Sequence, residues 1–133
     1  MQNDECRIQN EDGGTGEALD LRVRTKRYAP RIIRLYASLR KDGEAHVLGH
    51  QMLRSGTSVG AQYREACRAR SPAEFVSKME SALQELDETS YWLELLVESG
   101  TIPTSRLGSL LNETEQLIAV FVASIRTSKR KRS

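Results

Sequence analysis

Apolar residues recur at a helical period in four successive stretches of this chain, and that pattern restricts the fold more than any other feature. Each stretch places an apolar side chain every three or four residues, as a helix does when it buries one face. The stretches cover about 21–40, 44–70, 72–99 and 103–127. Connections this short place consecutive helices side by side in opposite directions. We therefore predict an all-α fold, an up-down-up-down antiparallel four-helix bundle over residues 20–127.

The two ends of the chain lack this periodicity. Residues 1–19 are acidic and contain several glycines, so we predict a disordered acidic tail there. Residues 128–133 are mainly lysine and arginine and are predicted to form a basic C-terminal tail that reaches phosphate groups.

Two local signals concern single helices. Ser71, Pro72 and Glu74 form a capping box, which marks the start of the third helix. Pro30 falls inside the first helical stretch, where a proline kinks a helix or begins one. We favour a bend at Pro30 over a helix that begins near Ala29.

A run of small residues, Ser55 to Ser58, lies within the second helix. Serine, threonine and glycine are mediocre or poor helix formers, so such a run indicates a packing requirement. On a helical wheel Gly56 lies in the apolar stripe, where it suits the close approach of a neighbouring helix. Arg54, Ser58 and Glu65 lie on the opposite side and are predicted to face a second protomer or another partner; the alternative is a solvated face.

Charge is unevenly distributed along the chain although the net charge is only +2. The first helix is basic, the third helix is acidic and the C-terminal end is basic again. The two cysteines, Cys6 and Cys67, suggest no disulfide framework. With no secretory signal and no apolar run of roughly 20 residues, we expect a soluble protein of the reducing cytoplasm without a membrane partner.

Three blocks of sequence carry a family resemblance. They are LRSGTSVGAQYREA at 53–66, SPAEFVSKM at 71–79 and ALQELDETSYWLELL at 82–96. In these blocks the chain resembles the bacterial four helix bundle protein family, whose founding members are encoded in intervening sequences of large-subunit ribosomal RNA genes. The resemblance spans residues 20–127. Family members often carry Asn-Ile where this chain has Gln62-Tyr63, so no role of that asparagine is expected here.

The same fold class includes the accessory variability determinant of diversity-generating retroelements, to which this chain is similar in fold. The resemblance implies a non-enzymatic homo-oligomer, a homopentamer by analogy with that protein. It also implies RNA or DNA as a partner and a reverse transcriptase as a further one.

Basic residues of the first helix and of the C-terminal end are the predicted nucleic-acid contacts. They are Arg24, Arg27, Arg31, Arg34, Lys129, Arg130, Lys131 and Arg132. No aromatic residues alternate with them, so we expect binding to the phosphate backbone with weak sequence preference. The alternatives are charge pairing with the acidic third helix of another protomer, or a solvated face.

Aromatic and apolar residues outside the apolar stripe of the third helix add to the predicted oligomer or partner interface. The whole predicted interface comprises Arg54, Ser55, Ser58, Glu65, Tyr91, Trp92 and Leu95. The alternative for Trp92 is packing at the edge of the core with its indole N–H bonded to a carboxylate.

Residue patterns typical of catalysis are missing from the sequence. His46 and His50 lie one helical turn apart, but no third ligand near them in sequence completes a metal site. No nucleophile motif and no phosphate-binding glycine loop occurs. We predict a non-enzymatic accessory protein, without metal or cofactor, that binds nucleic acid through its backbone. The alternative is a protein–protein scaffold with no nucleic-acid role.

Overall fold

The computed structural model describes residues 20–132, and four helices account for most of that range. They are α1 (Leu21–Ser38), α2 (Gly43–Cys67), α3 (Pro72–Glu98) and α4 (Thr104–Arg132). No strand occurs between residues 20 and 132. The predicted all-α four-helix bundle is confirmed. The predicted acidic tail, 1–19, lies outside the described residues.

Contacts between side chains give the direction of each helix relative to its neighbours. Ile32 and Leu39 of α1 meet Gly56 and Gly49 of α2 in reverse order, so α1 and α2 are antiparallel. Contacts between α2 and α3 and between α1 and α4 also run in reverse order along the two helices. Lys129, near the end of α4, contacts Glu80, near the start of α3. The chain therefore runs up, down, up and down around one core.

The helix starts follow the capping signals in the sequence. Ser71 Oγ accepts a hydrogen bond from the N–H of Glu74 at 3.1 Å, and the Glu74 carboxylate accepts one from the N–H of Arg70 at 2.6 Å. Asp20 caps α1 by accepting from the N–H of Val23. α1 passes through Pro30 without interruption, so a helix that begins near Ala29 is excluded.

The core is mainly aliphatic with a few large aromatic residues. Tyr28, Tyr63, Phe75 and Phe121 are fully buried, and the rings of Tyr63 and Phe121 meet edge to face at 6.0 Å. Burial raises the pKa of Tyr28 to about 12, an effect that its hydrogen bond to Thr114 partly opposes. Tyr28 therefore stays a neutral hydroxyl inside the core at physiological pH.

Three glycines of α2 line the contact with α1. A Cβ atom on Gly49 would lie 2.7 Å from Leu39 Cδ1, and one on Gly56 would lie 2.8 Å from Ile32 Cγ1. At Gly60 the nearest atom would be the carbonyl oxygen of Thr25, at 3.4 Å. A side chain at Gly49 or Gly56 would therefore force the facing side chain of α1 to move. The prediction that Gly56 serves close helix packing is confirmed.

The contact between α1 and α4 is of a different kind. Backbone contacts are most frequent between α2 and α3 and sparse between α1 and α4. Long side chains bridge the wider α1–α4 gap instead, among them the pair Tyr28 and Thr114, whose hydroxyl oxygens lie 2.6 Å apart. Because Thr114 donates its proton to the carbonyl of Leu110, Tyr28 is the donor in that pair.

Two further observations bear on the sequence-based expectations. Within residues 20–132 no helix combines the length and the apolarity needed to cross a membrane. Cys67 is buried at the end of α2. Cys6, the other cysteine of the sequence, lies outside the described residues.

The glycine contact leads to a stability prediction. Gly56→Ala is expected to lower the free energy of unfolding by about 1–3 kcal/mol, because its methyl group overlaps Ile32. Gly108→Ala in α4 is the matched control, since nothing lies within 4 Å of its new methyl group. That change should raise stability by up to about 1 kcal/mol through helix propensity. Urea unfolding of both variants measures the difference, and equal effects would contradict the close α1–α2 contact.

Candidate nucleic-acid interface

α1 carries six arginine and lysine residues and no acidic residue. Its apolar side, which includes Leu21, Ile32 and Leu35, faces the core. The basic side chains therefore lie on the outer surface and along the flank that faces α4. Arg27 and Arg34 are exposed, and Arg31 is half-buried.

Arg24 is held by α4 instead of pointing to solvent. Its guanidinium forms two hydrogen bonds with the Glu113 carboxylate, of 2.7 and 3.2 Å, and a third with Gln116 at 3.2 Å. Only 14% of the Arg24 side chain and 22% of the Glu113 side chain are exposed. The phosphate contact of Arg24 stays a prediction, and in this conformation Glu113 neutralises its charge.

Three other arginines line a shallow groove between the second half of α1 and the start of α4. They are Arg31, Arg34 and Arg106. Arg31 donates to the Ser109 hydroxyl at 2.9 Å, across the gap from α1 to α4. Arg106 donates in the opposite direction, from α4 to the Ser38 hydroxyl of α1, at 3.2 Å. We call this feature the α1–α4 groove.

The hydrogen-bond partners of Arg31 and Arg106 are uncharged. Within residues 20–132 no carboxylate lies in ion-pair distance of Arg31, Arg34 or Arg106. A serine hydroxyl orients a guanidinium without cancelling its charge. The groove therefore presents three positive charges that no ion pair within residues 20–132 neutralises.

The basic C-terminal residues continue α4 as a helix up to Arg132, where a separate tail from residue 128 was predicted. Ser128 is buried, so the helix is still packed at this point. Lys129 forms an ion pair of 3.1 Å with Glu80 of α3. Lys129 therefore contributes to the α3–α4 contact, and its role as a phosphate ligand stays a prediction. Arg130 and Lys131 are exposed.

The surface formed by α2 and α3 has a different charge character. α3 carries seven acidic residues and one lysine. Arg54 of α2 pairs with Glu88 at 3.1 Å and with Glu85 at 3.8 Å, and Glu65 pairs with Lys78 at 2.8 Å. The outward position predicted for Arg54 and Glu65 is confirmed, but both residues already connect α2 to α3 within one chain.

Glu85 is the most enclosed carboxylate of this surface. Its side chain is 16% exposed, and its Oε2 atom has no hydrogen-bond partner within the described range. Loss of solvation raises the pKa of Glu85, an effect that the nearby Arg54 guanidinium partly opposes.

Ser55 lies inside the bundle and not on its surface. It is fully buried, and its hydroxyl lies 2.7 Å from that of Thr89 in α3. Thr89 donates to the carbonyl of Glu85, so Ser55 is the donor in the pair. The prediction that Ser55 contacts a second protomer is wrong, because the α2–α3 contact covers it. Ser58 is half-buried, and its hydroxyl bonds the carbonyl of Arg54 one turn earlier.

An apolar patch lies at one end of the α2–α3 surface. Tyr91 is 54% exposed and Val47 is 60% exposed, while Trp92 and Leu95 are half-buried. The rings of Tyr91 and Trp92 meet at 5.1 Å. Trp92 packs at the edge of the core, as the alternative interpretation expected. Its buried indole N–H has no hydrogen-bond partner among residues 20–132, so the expected bond to a carboxylate is not formed.

His46 and His50 come together on α2 as their spacing predicts. Their rings lie 5.4 Å apart, and His50 also contacts Tyr36 at 5.9 Å. No group of three or more metal-ligating side chains is found between residues 20 and 132. This pair is therefore explained as part of an aromatic contact between α1 and α2.

The sequence-based prediction missed Arg106, Ser109 and Ser38 as parts of the basic surface. The topology predicted from the sequence already indicated these residues. An up-down-up-down bundle places the end of α1 beside the start of α4, so residues near 38 and 106 had to meet. The predicted basic surface included residues of α1 but none from the start of α4, which lies beside it.

Comparisons with known proteins agree with this architecture. A family model described as 23S rRNA-intervening sequence protein matches residues 17–123. A crystal structure from Bacteroides thetaiotaomicron, of a protein with unknown function from the S23 ribosomal protein family, is 37% identical with a TM-score of 0.75. That similarity covers 79% of this chain and 97% of the other. No curated protein matches.

Proposed function

Since this chain belongs to the 23S rRNA-intervening sequence protein family, we propose that it is a non-enzymatic accessory protein that binds RNA or DNA along the α1–α4 side of its bundle. The family description names a ribosomal RNA intervening sequence and gives no activity. The proposal therefore rests on the surface of this chain.

The observation that carries the proposal is the uncompensated charge of the α1–α4 groove. Serine hydroxyls orient Arg31 and Arg106, and within residues 20–132 no carboxylate lies in ion-pair distance of these two or of Arg34. On the other side of the bundle, Arg54 and Glu65 of α2 form ion pairs with α3. Arginine binds phosphate oxygens with two parallel hydrogen bonds, so this surface is suited to phosphate groups.

The mode of binding follows from the residue types present. The groove has no exposed aromatic side chain on which a base could stack, since its apolar lining consists of leucines. Phosphate contacts position a nucleic acid without reading its bases. We therefore expect weak sequence preference and a strong dependence on salt.

A salt series tests the proposed binding. The wild-type protein and the double variant Arg31→Gln, Arg34→Gln are titrated with a single-stranded RNA by fluorescence anisotropy at several KCl concentrations. Each lost phosphate contact should reduce the log–log salt slope by about 0.7, so the double variant should lose about 1.4.

The matched control for this series is Arg64→Gln, Arg68→Gln, two exposed arginines at the carboxyl end of α2. It removes the same charge far from the groove and should leave the slope close to that of the wild type. Absence of RNA and DNA binding at low salt, or equal slopes for the two double variants, would refute the proposed function.

A second proposal is that the protein is a homo-oligomer that associates through the apolar patch on α2 and α3. The exposed Tyr91 and Val47 support it, because exposed apolar surface that is contiguous often marks a protein–protein contact. Aromatic side chains also dominate the energy of protein interfaces. The expected homopentamer and the expected reverse transcriptase partner stay predictions from resemblance.

Light scattering tests the proposed self-association. The wild type should give a mass that is a multiple of the 15.0 kDa chain. Tyr91→Glu should lower that mass, because a carboxylate cannot be buried at an apolar contact without a large cost. Ala37→Glu, at an exposed position of α1, is the control and should keep the wild-type mass. A monomeric wild type at micromolar concentration would rule out self-association through this patch.

A further inference from the structure

The α1–α4 groove differs from the rest of the basic surface in shape. It is a concavity of about 240 Å³, and three arginines surround it. Arg24 and Lys129, by contrast, lie on flanks where a carboxylate holds them. The groove is therefore suited to a compact anion, whereas the open surface of α1 is suited to an extended anion.

The arginines approach the groove from both sides. Arg31 reaches from α1 to Ser109, and Arg106 reaches from α4 to Ser38. Arg34 lies one turn along α1 from Arg31 and lines the same groove. Each guanidinium has five N–H donors, so a single hydrogen bond to serine leaves most of them for a ligand.

The charge of the groove points to a terminal phosphate. A phosphodiester within a nucleic-acid strand carries one negative charge, whereas a terminal phosphate monoester carries about 1.5 to 2 and has three strong acceptor oxygens. Three unpaired guanidinium groups around one small concavity match the monoester better. A nucleic-acid duplex is too wide to enter a groove of this volume.

We propose that the α1–α4 groove binds the terminal monophosphate of a nucleic-acid strand. The inference rests on the proposed function, since the rest of the strand would follow the basic side of α1 toward Arg27. It adds that the protein recognises strand ends: one end lies in the groove, and the adjoining phosphodiesters lie on the helix.

Three forms of one short single-stranded RNA test this proposal. The strand is prepared with a 5′-phosphate, with a 3′-phosphate and with hydroxyl groups at both ends. Binding to the wild type is measured by fluorescence anisotropy at one moderate salt concentration. One phosphorylated form should bind about tenfold tighter than the unphosphorylated strand, because it adds charge-assisted bonds to arginine.

Two double variants test whether the preference for a phosphorylated end depends on the groove arginines. Arg34→Gln combined with Arg106→Gln should remove the preference for the phosphorylated end, whereas Arg64→Gln combined with Arg68→Gln should keep it. Circular dichroism shows whether each variant is folded. If the groove variant unfolds, displacement of the phosphorylated RNA from the wild type by the mononucleotide 5′-CMP, compared with cytidine, gives the second readout. 5′-CMP should compete weakly and cytidine not at all.

The possible outcomes separate this inference from the proposed function. Equal affinity for all three RNA forms overturns recognition of strand ends and leaves backbone binding intact. Absence of binding to every form overturns both. If 5′-CMP binds as tightly as the phosphorylated RNA, the groove is a site for small phosphates and recognition of nucleic-acid ends is overturned.

Discussion

The close contact between α1 and α2 determines how the rest of the bundle is arranged. Gly49 and Gly56 carry no side chains, so Leu39 and Ile32 pack directly on the backbone of α2. Helix α1 is drawn toward α2 by this contact, and its backbone makes few contacts with α4. The α1–α4 gap is then wide enough to be bridged by arginine and tyrosine side chains, and this gap holds the groove.

Charge follows the same division of the bundle. On the α2–α3 side, Arg54 of α2 pairs with Glu88 of α3, and Lys78 of α3 pairs with Glu65 of α2, so these charges are matched within the chain. On the α1–α4 side, Glu113 neutralises Arg24, and two of the groove arginines, Arg31 and Arg106, donate hydrogen bonds to serines. The proposed nucleic-acid surface therefore lies on one side of the molecule, and the apolar patch around Tyr91 lies on the other. Nucleic-acid binding and self-association can then use separate surfaces.

Much of the fold could be predicted because helix periodicity and capping are local properties. The boundaries near Ser71 and the packing role of Gly56 needed only nearby residues. Ser55 was misplaced because its exposure depends on how α3 lies against α2, which the wheel of a single helix does not contain. The pairing of Arg24 with Glu113 joins positions 89 residues apart and depends on the width of the α1–α4 gap. Helix α4 continues past Thr127 because Ser128 still packs, a tertiary contact that the basic composition conceals.

The central claim is that uncompensated arginines between α1 and α4 bind nucleic-acid phosphate. NMR spectra of the arginine side-chain Nε–H groups, recorded during titration with single-stranded RNA, test it directly. The account predicts that the signals of Arg31, Arg34 and Arg106 shift first and saturate together, while Arg64 and Arg70 change little. Shifts centred on Arg54, Arg64 and Arg70, or no shifts at RNA concentrations above that of the protein, would contradict it.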